Sequence, residues 1–146
     1  MALKLSTGLR GKLMDAGSLK SIFAGGLIKI YAGAAPADAD AAATGTLLCT
    51  ISLAGAGTGI NFDTAAVAGI LSKAPAETWS GTNVATGTAS HFRHVAAGDT
   101  GALSTTQARI QGSIATVGAD MNLSSVSLVN GAGQTVDYYS VTVPAA

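Results

Sequence analysis

Two different periods govern the large apolar side chains, and the change from one to the other divides the chain. From Ser6 to Phe23, the residues Leu9, Leu13, Leu19, Ile22 and Phe23 recur at intervals that helical turns can bring to one side. Gly17 interrupts that stretch, Ser6 and Ser18 are suited to N-caps, and Gly25-Gly26 supplies a stop. The pattern predicts one or two short helices. From Leu27 the period is two: Ile28 and Ile30 alternate with Lys29 as far as Tyr31. Ala34 to Thr44, containing Pro36, Asp38 and Asp40, then reads as a long surface loop.

The clearest amphipathic strand comes next. Leu47, Cys49, Ile51 and Leu53 alternate with Thr46, Thr50 and Ser52, Leu48 is the misfit, and Gly55, Gly57 and Gly59 end the run. Further strands are predicted over Val67–Leu71, Glu77–Ser80, Thr82–Val95, Gln107–Val117, Met121–Val129 and Thr135–Val143. Met121 and Leu123 share one parity and Val126 and Leu128 the other, which predicts a β-bulge at Ser124-Ser125. Asn130-Gly131 predicts a hairpin turn. In the last strand Tyr139, Val141 and Val143 share a face, Tyr138, Ser140 and Thr142 take the other, and Pro144 ends it. The expected fold is all-β: a β-sandwich, jelly-roll-like, with a short helical N-terminal segment. It forms a single domain over 1–146, with the helical segment at 1–26 and the sandwich at 27–146.

Composition narrows the chemistry. Charged residues make up 11% of the chain, against roughly a quarter in an ordinary soluble domain. With one cysteine and two histidines besides, there is little from which to build an active site, and a structural role rather than an enzyme is expected. Much of the 48% hydrophobic content is alanine, so the core is thin and burial against other subunits is attractive; a homo-oligomer, dimer or trimer, is expected. Eight basic and eight acidic residues cancel, and they cluster only as Arg10, Lys12 and Lys20 and as Asp38 with Asp40. Nucleic acid is disfavoured as a partner, because holding phosphates needs spare cations on one face. Met1 to Ser6 leads into no apolar run, so no signal peptide is expected. The uncharged stretch Ala41–Phe62 is punctuated too often by Thr, Ser and Gly to span a membrane. A soluble protein made in a cytoplasm is expected.

The scarce reactive residues read as structural. Cys49, among Leu47, Ile51 and Leu53, is expected to be a buried thiol. His91 and His94 fall on opposite faces of a strand, unsuited to a shared metal, with Phe92 packing inward and Arg93 reaching solvent or a neighbouring subunit. Asp38 and Asp40 have the first spacing of a calcium loop, but Ala43 and Cys49 stand where its glycine and glutamate belong. That excludes an EF-hand and leaves a solvated turn or an irregular carbonyl site. No Gly-x-Ser-x-Gly elbow, phosphate loop or dinucleotide fingerprint occurs. Glu77 near Trp79 is the one pairing of an acid with a sugar-stacking aromatic, and Trp79 is expected as a core or interface anchor. No cofactor and no metal are expected.

Four passages carry a resemblance: Leu3-Lys4-Leu5-Ser6-Thr7-Gly8-Leu9-Arg10; Gly26-Leu27-Ile28-Lys29-Ile30-Tyr31-Ala32-Gly33 with Pro36; Thr44-Gly45-Thr46-Leu47-Leu48; and Glu77-Thr78-Trp79-Ser80-Gly81. Along most of its length the chain resembles small virion proteins of tailed bacteriophages, closest to the capsid cement, or decoration, proteins. The resemblance implies a β-rich protein on the outer surface of the phage head, made in the host bacterial cytoplasm and stapling neighbouring copies of the major capsid protein. Under it, Leu9, Arg10, Lys12, Leu13, Lys20 and Phe23 of the helical segment are candidates to lie on the shell, with Trp79 as a further interface anchor. The same segment could instead close one end of the sandwich. The alternative function is a phage tail or receptor-binding, adsorption module that presents loops to a host surface or sugar. An enzyme using Glu77 or His91 ranks third.

Overall fold

The chain's strands and helices were traced in a computed structural model, which describes residues 3–142. Near the N-terminus β1 (Lys4–Leu5) is followed by α1 (Thr7–Asp15) and α2 (Leu19–Ile22). The serines cap both helices: Ser6 Oγ accepts from the Leu9 amide, and Ser18 and Ser21 form a reciprocal capping box. The remaining elements are β2 (Leu27–Ala32), β3 (Thr46–Leu53), β4 (Ile70–Ser72), β5 (Trp79–Thr82), β6 (Gly87–Val95), β7 (Arg109–Ala115), β8 (Met121–Asn122), β9 (Ser127–Leu128), β10 (Gly133–Val136) and β11 (Ser140–Thr142). The fold is all-β with a helical N-terminal segment, as the sequence predicts.

One long sheet in the order β1-β7-β6-β2-β3-β5-β10 carries β8 beside β7 and β9 beside β6, and β4 and β11 form a separate two-stranded ribbon. Every pairing is antiparallel except β7 with β8. The second layer is therefore a ribbon with irregular chain, and no jelly-roll arrangement of two comparable sheets is evident among the described residues. Both faces of the central strands are covered. Cross-strand register puts Ile28, Ile30, Cys49, Ile51, Phe92, His94 and Ile110 on one face. That face packs on Phe23, Ile60, Phe62, Leu71, Trp79 and Tyr139 as the apolar core. The opposite face carries Tyr31, His91, Arg93, Arg109 and Gln111, all buried.

Two β-bulges flank β2 at nearly the same level. Ile30 faces Cys49 and Tyr31 faces Leu47, so Leu48 is the extra residue on β3; Tyr31 faces His91 and Ala32 faces Ala89, so Ser90 is the extra one on β6. The first bulge accounts for Leu48, the misfit of the alternating pattern, which is fully buried next to an equally buried Cys49.

Other expectations required correction. Val67–Leu71 is strand only from Ile70, where β4 begins, because a tight turn precedes it: Ala68 (φ 53°) and Gly69 (φ 78°) are both left-handed, and Val67 and Ile70 exchange both backbone hydrogen bonds. Met121–Val129 is not one bulged strand. Its halves pair with different partners, β8 with β7 and β9 with β6, so the parity change marks a change of neighbour. Gly131 (φ 86°) does turn the chain, yet β9 and β10 do not pair, so Asn130-Gly131 makes no hairpin. Thr135–Val143 breaks at Asp137–Tyr139 into β10 and β11. Within it Tyr139 and Val141 are buried and Tyr138, Ser140 and Thr142 exposed, as predicted, while Val143 and Pro144 lie outside the described residues.

Candidate functional site

The proposed interface residues separate into two groups. On α1, Gly8 and Leu9 form the buried side: a Cβ on Gly8 would lie 2.4 Å from the Thr106 backbone, so only glycine lets the helix lie this close to the 106–107 segment. Ser6 Oγ fixes that approach by donating to the Gln107 carbonyl (2.7 Å) and accepting from the Arg109 amide (2.9 Å). The far side of α1 carries Arg10, Leu13 and Met14 in solvent, with Lys12 half-buried. Lys20 is exposed on α2, where its Nζ donates to the Thr64 carbonyl at 2.8 Å.

Leu9 and Phe23 are corrections to the expected interface, and Trp79 takes the core place of its two expected roles and not the interface one, because all three are core residues of the single chain. Phe23 lies 4.5 Å from the His94 ring and 6.5 Å edge-on to Phe62. Trp79 packs against Phe62, His94 and Tyr139. Burying them stabilises the fold by about 1.5–3 kcal/mol each, and leaves none of their surface for a partner.

The groups singled out for possible chemistry are hydrogen-bonded within the chain or buried in it. Glu77 accepts from the Trp79 indole N–H (2.8 Å), the Asn61 amide (2.9 Å) and the Asn61 side chain (3.0 Å), while Lys73 Nζ donates to the Glu77 carbonyl and lies 5.7 Å from the Trp79 ring. Burial alone would raise the Glu77 carboxyl, but the Asn61 and Trp79 hydrogen bonds and the Lys73 charge outweigh it and hold the group below its ordinary value. His94 is enclosed by Phe23, Phe62, Trp79 and Tyr139, and its Nδ1 lies 3.1 Å from the Tyr139 hydroxyl. Burial pushes its imidazole down to about 3, so the ring is neutral. His91 stacks on Tyr31 at 5.3 Å and is also lowered, by burial first. Burial pushes the Cys49 thiol up to about 11, the behaviour of an inert core cysteine.

Arg93 is a further correction: it reaches neither solvent nor a neighbour. Its Nε donates to Gln111 Oε1 (2.9 Å) and its Nη2 to the Asp38 carbonyl (3.1 Å). Beside it Arg109 pairs with Asp99 (2.6 Å) in a fully buried salt bridge and donates to the carbonyls of Ala39 and Ala102. Gln111 Nε2 donates to the Pro36 carbonyl. This polar layer holds the loop after β2 and the loop after β6 against the second face of the sheet. The Asp38–Asp40 loop is thus not a free turn. Asp40 accepts from the Thr7 amide (2.7 Å) and hydroxyl (2.6 Å), which hold its carboxyl low and place a negative charge at the N-terminus of α1. Sequence reasoning missed the layer, although Arg109 and Gln111 alternate with Ile110 as strand-borne polar residues.

Among the described residues no group of three or more His, Cys, Asp or Glu is placed to hold a metal ion, and no helix is long and apolar enough to cross a membrane. Four of the eight basic residues fall in the segment from Lys4 to Lys20, which holds one acid, Asp15. No known protein family, curated protein or solved structure matches this chain.

Proposed function

We propose that this chain is a structural virion protein, a capsid cement or decoration protein that binds the outer surface of a bacteriophage head and staples neighbouring copies of the major capsid protein. The carrying observation is the division of labour on α1. Gly8 and Leu9 fasten the helix to the body, leaving Arg10, Leu13 and Met14 outward, with Lys12 half-buried and Lys20 exposed on α2. Met14 is 89% exposed and Leu13 38%. Exposed apolar side chains on a helix that also presents Arg10 suit an acidic protein surface with a shallow apolar recess. The buried titratable groups support the same reading, since Glu77, Asp99, Arg93 and Arg109 serve as struts rather than reagents. A staple needs no catalysis, because weak contacts repeated over a shell add up.

In this reading the protein acts as a homo-oligomer, dimer or trimer, with the major capsid protein as partner and without nucleic acid, membrane or cofactor. The test is co-sedimentation of purified protein with phage heads that lack it. Wild type pellets with the heads at saturating stoichiometry, whereas Arg10→Glu/Met14→Asp stays in the supernatant while melting like wild type. Equal pelleting of the two proteins contradicts docking through α1. The alternative reading, a tail or adsorption module, draws on exposed Tyr138.

A further inference from the structure

Tyr138 is 88% exposed, and the chain that follows it is anchored. The next residue, Tyr139, is buried against Phe62, Trp79 and Phe92 and bonded to His94. The Tyr139 carbonyl accepts from the Lys73 amide (2.8 Å), and Ser140 pairs with Ser72 across the ribbon. The Tyr138 ring is therefore held out from a fixed base, which lowers the entropy cost of using it. A shallow recess opens on each side. One, of about 380 Å³, is lined by Ser72, Lys73, Pro75, Asp137 and Ser140. The other, of about 470 Å³, is lined by Ala119, Asp120, Met121 and Asn122.

The geometry points to a carbohydrate-binding site centred on Tyr138, taking a neutral oligosaccharide of at least two hexose units. A pyranose ring has an apolar face of C–H groups that stacks on an aromatic ring, and hydroxyls at its edge that need paired donors and acceptors. The recesses offer both: carboxylates from Asp137 and Asp120, hydroxyls from Ser72 and Ser140, and the Asn122 amide. Across the two recesses Asp137 and Asp120 outnumber Lys73, whose Nζ is spent on the Ala74 and Glu77 carbonyls, and so oppose phosphate or sulfate. Glu77, the acid the sequence pairs with an aromatic, is saturated by Asn61 and Trp79; Tyr138 is the aromatic left free. The site is independent of α1 and compatible with a place on either head or tail.

The test is binding to a printed array of neutral and anionic oligosaccharides, followed by NMR titration of ¹⁵N-labelled protein with the best neutral binder. Binding of neutral hexose oligomers is expected, with shifts confined to Ser72, Asn122 and the 137–140 segment. Tyr138→Ala weakens it about tenfold or more and Tyr138→Trp retains it, both with unchanged melting. Preference for anionic glycans, no neutral binder up to about 10 mM, or binding indifferent to Tyr138→Ala overturns the assignment.

Discussion

Protonating His94 would place a charge among Phe23, Phe62, Trp79 and Tyr139, with one hydroxyl to meet it. Its pKa of about 3 in the fold lies below the ordinary 6.5, so as pH falls the unfolded chain takes up the proton first. This contribution to stability is complete above about pH 6.5 and is lost as pH falls toward 3. Between pH 6.5 and 5, above the range of the carboxylates, urea melts should record a loss of about 2 kcal/mol from this group. His94→Gln, which keeps a neutral polar partner for Tyr139, should reduce that slope, leaving the smaller effect of His91 in the same direction. A slope unchanged in His94→Gln contradicts a neutral buried imidazole. Glu77 acts lower on the scale: its depressed carboxyl contributes stability above its ordinary 4.5 that is lost as pH falls further. Glu77→Ala strands the Trp79 indole and two Asn61 donors and should cost about 2–4 kcal/mol at neutral pH. Cys49 should resist alkylation until the protein unfolds. Its burial was legible from the apolar neighbours; the fate of Arg93 was not, because a lone arginine on a strand reads as exposed until the covering loops are known.

Elements were legible where their signals are local. The Ser6 and Ser18 caps, β2 and most of β3 follow from side-chain chemistry within a few residues. The errors arose where chain far away in sequence decides, as in Met121–Val129, whose halves belong to different neighbours, and in the second buried face, which exists because residues 34–44 fold over it. Arg109→Met tests how far that cover depends on the polar layer. It strands Asp99 in a buried site and releases the Ala39 and Ala102 carbonyls, so a loss of about 3–5 kcal/mol is expected, with faster amide exchange in both loops. Exchange confined to β7 would contradict the loops' being held by Arg109. The Ala68-Gly69 turn tests the opposite sign. Alanine at φ 53° is strained where asparagine is tolerated, so Ala68→Asn should stabilise by about 0.5–1 kcal/mol in thermal melts.

At the scale of the whole molecule, the candidate interface was only partly legible. Leu9, Leu13 and Phe23 share a helical period in the sequence, but period alone does not say which side faces the protein's own body. Packing answers it by burying Leu9 and Phe23 and leaving Leu13 with Met14 outward. Tyr138 was assigned to the outer face of the last strand and given no role, since nothing in the sequence reveals the recesses beside it. The balance of few charges, internal struts and a basic N-terminal segment supports a protein that works by being held in place. The most direct test is to label intact virions with antibody against this chain and locate the label by electron microscopy. Dense, even label over the head, at a copy number near that of the major capsid protein, is the predicted result. Label confined to the tail, or absent from the particle, would contradict the decoration assignment.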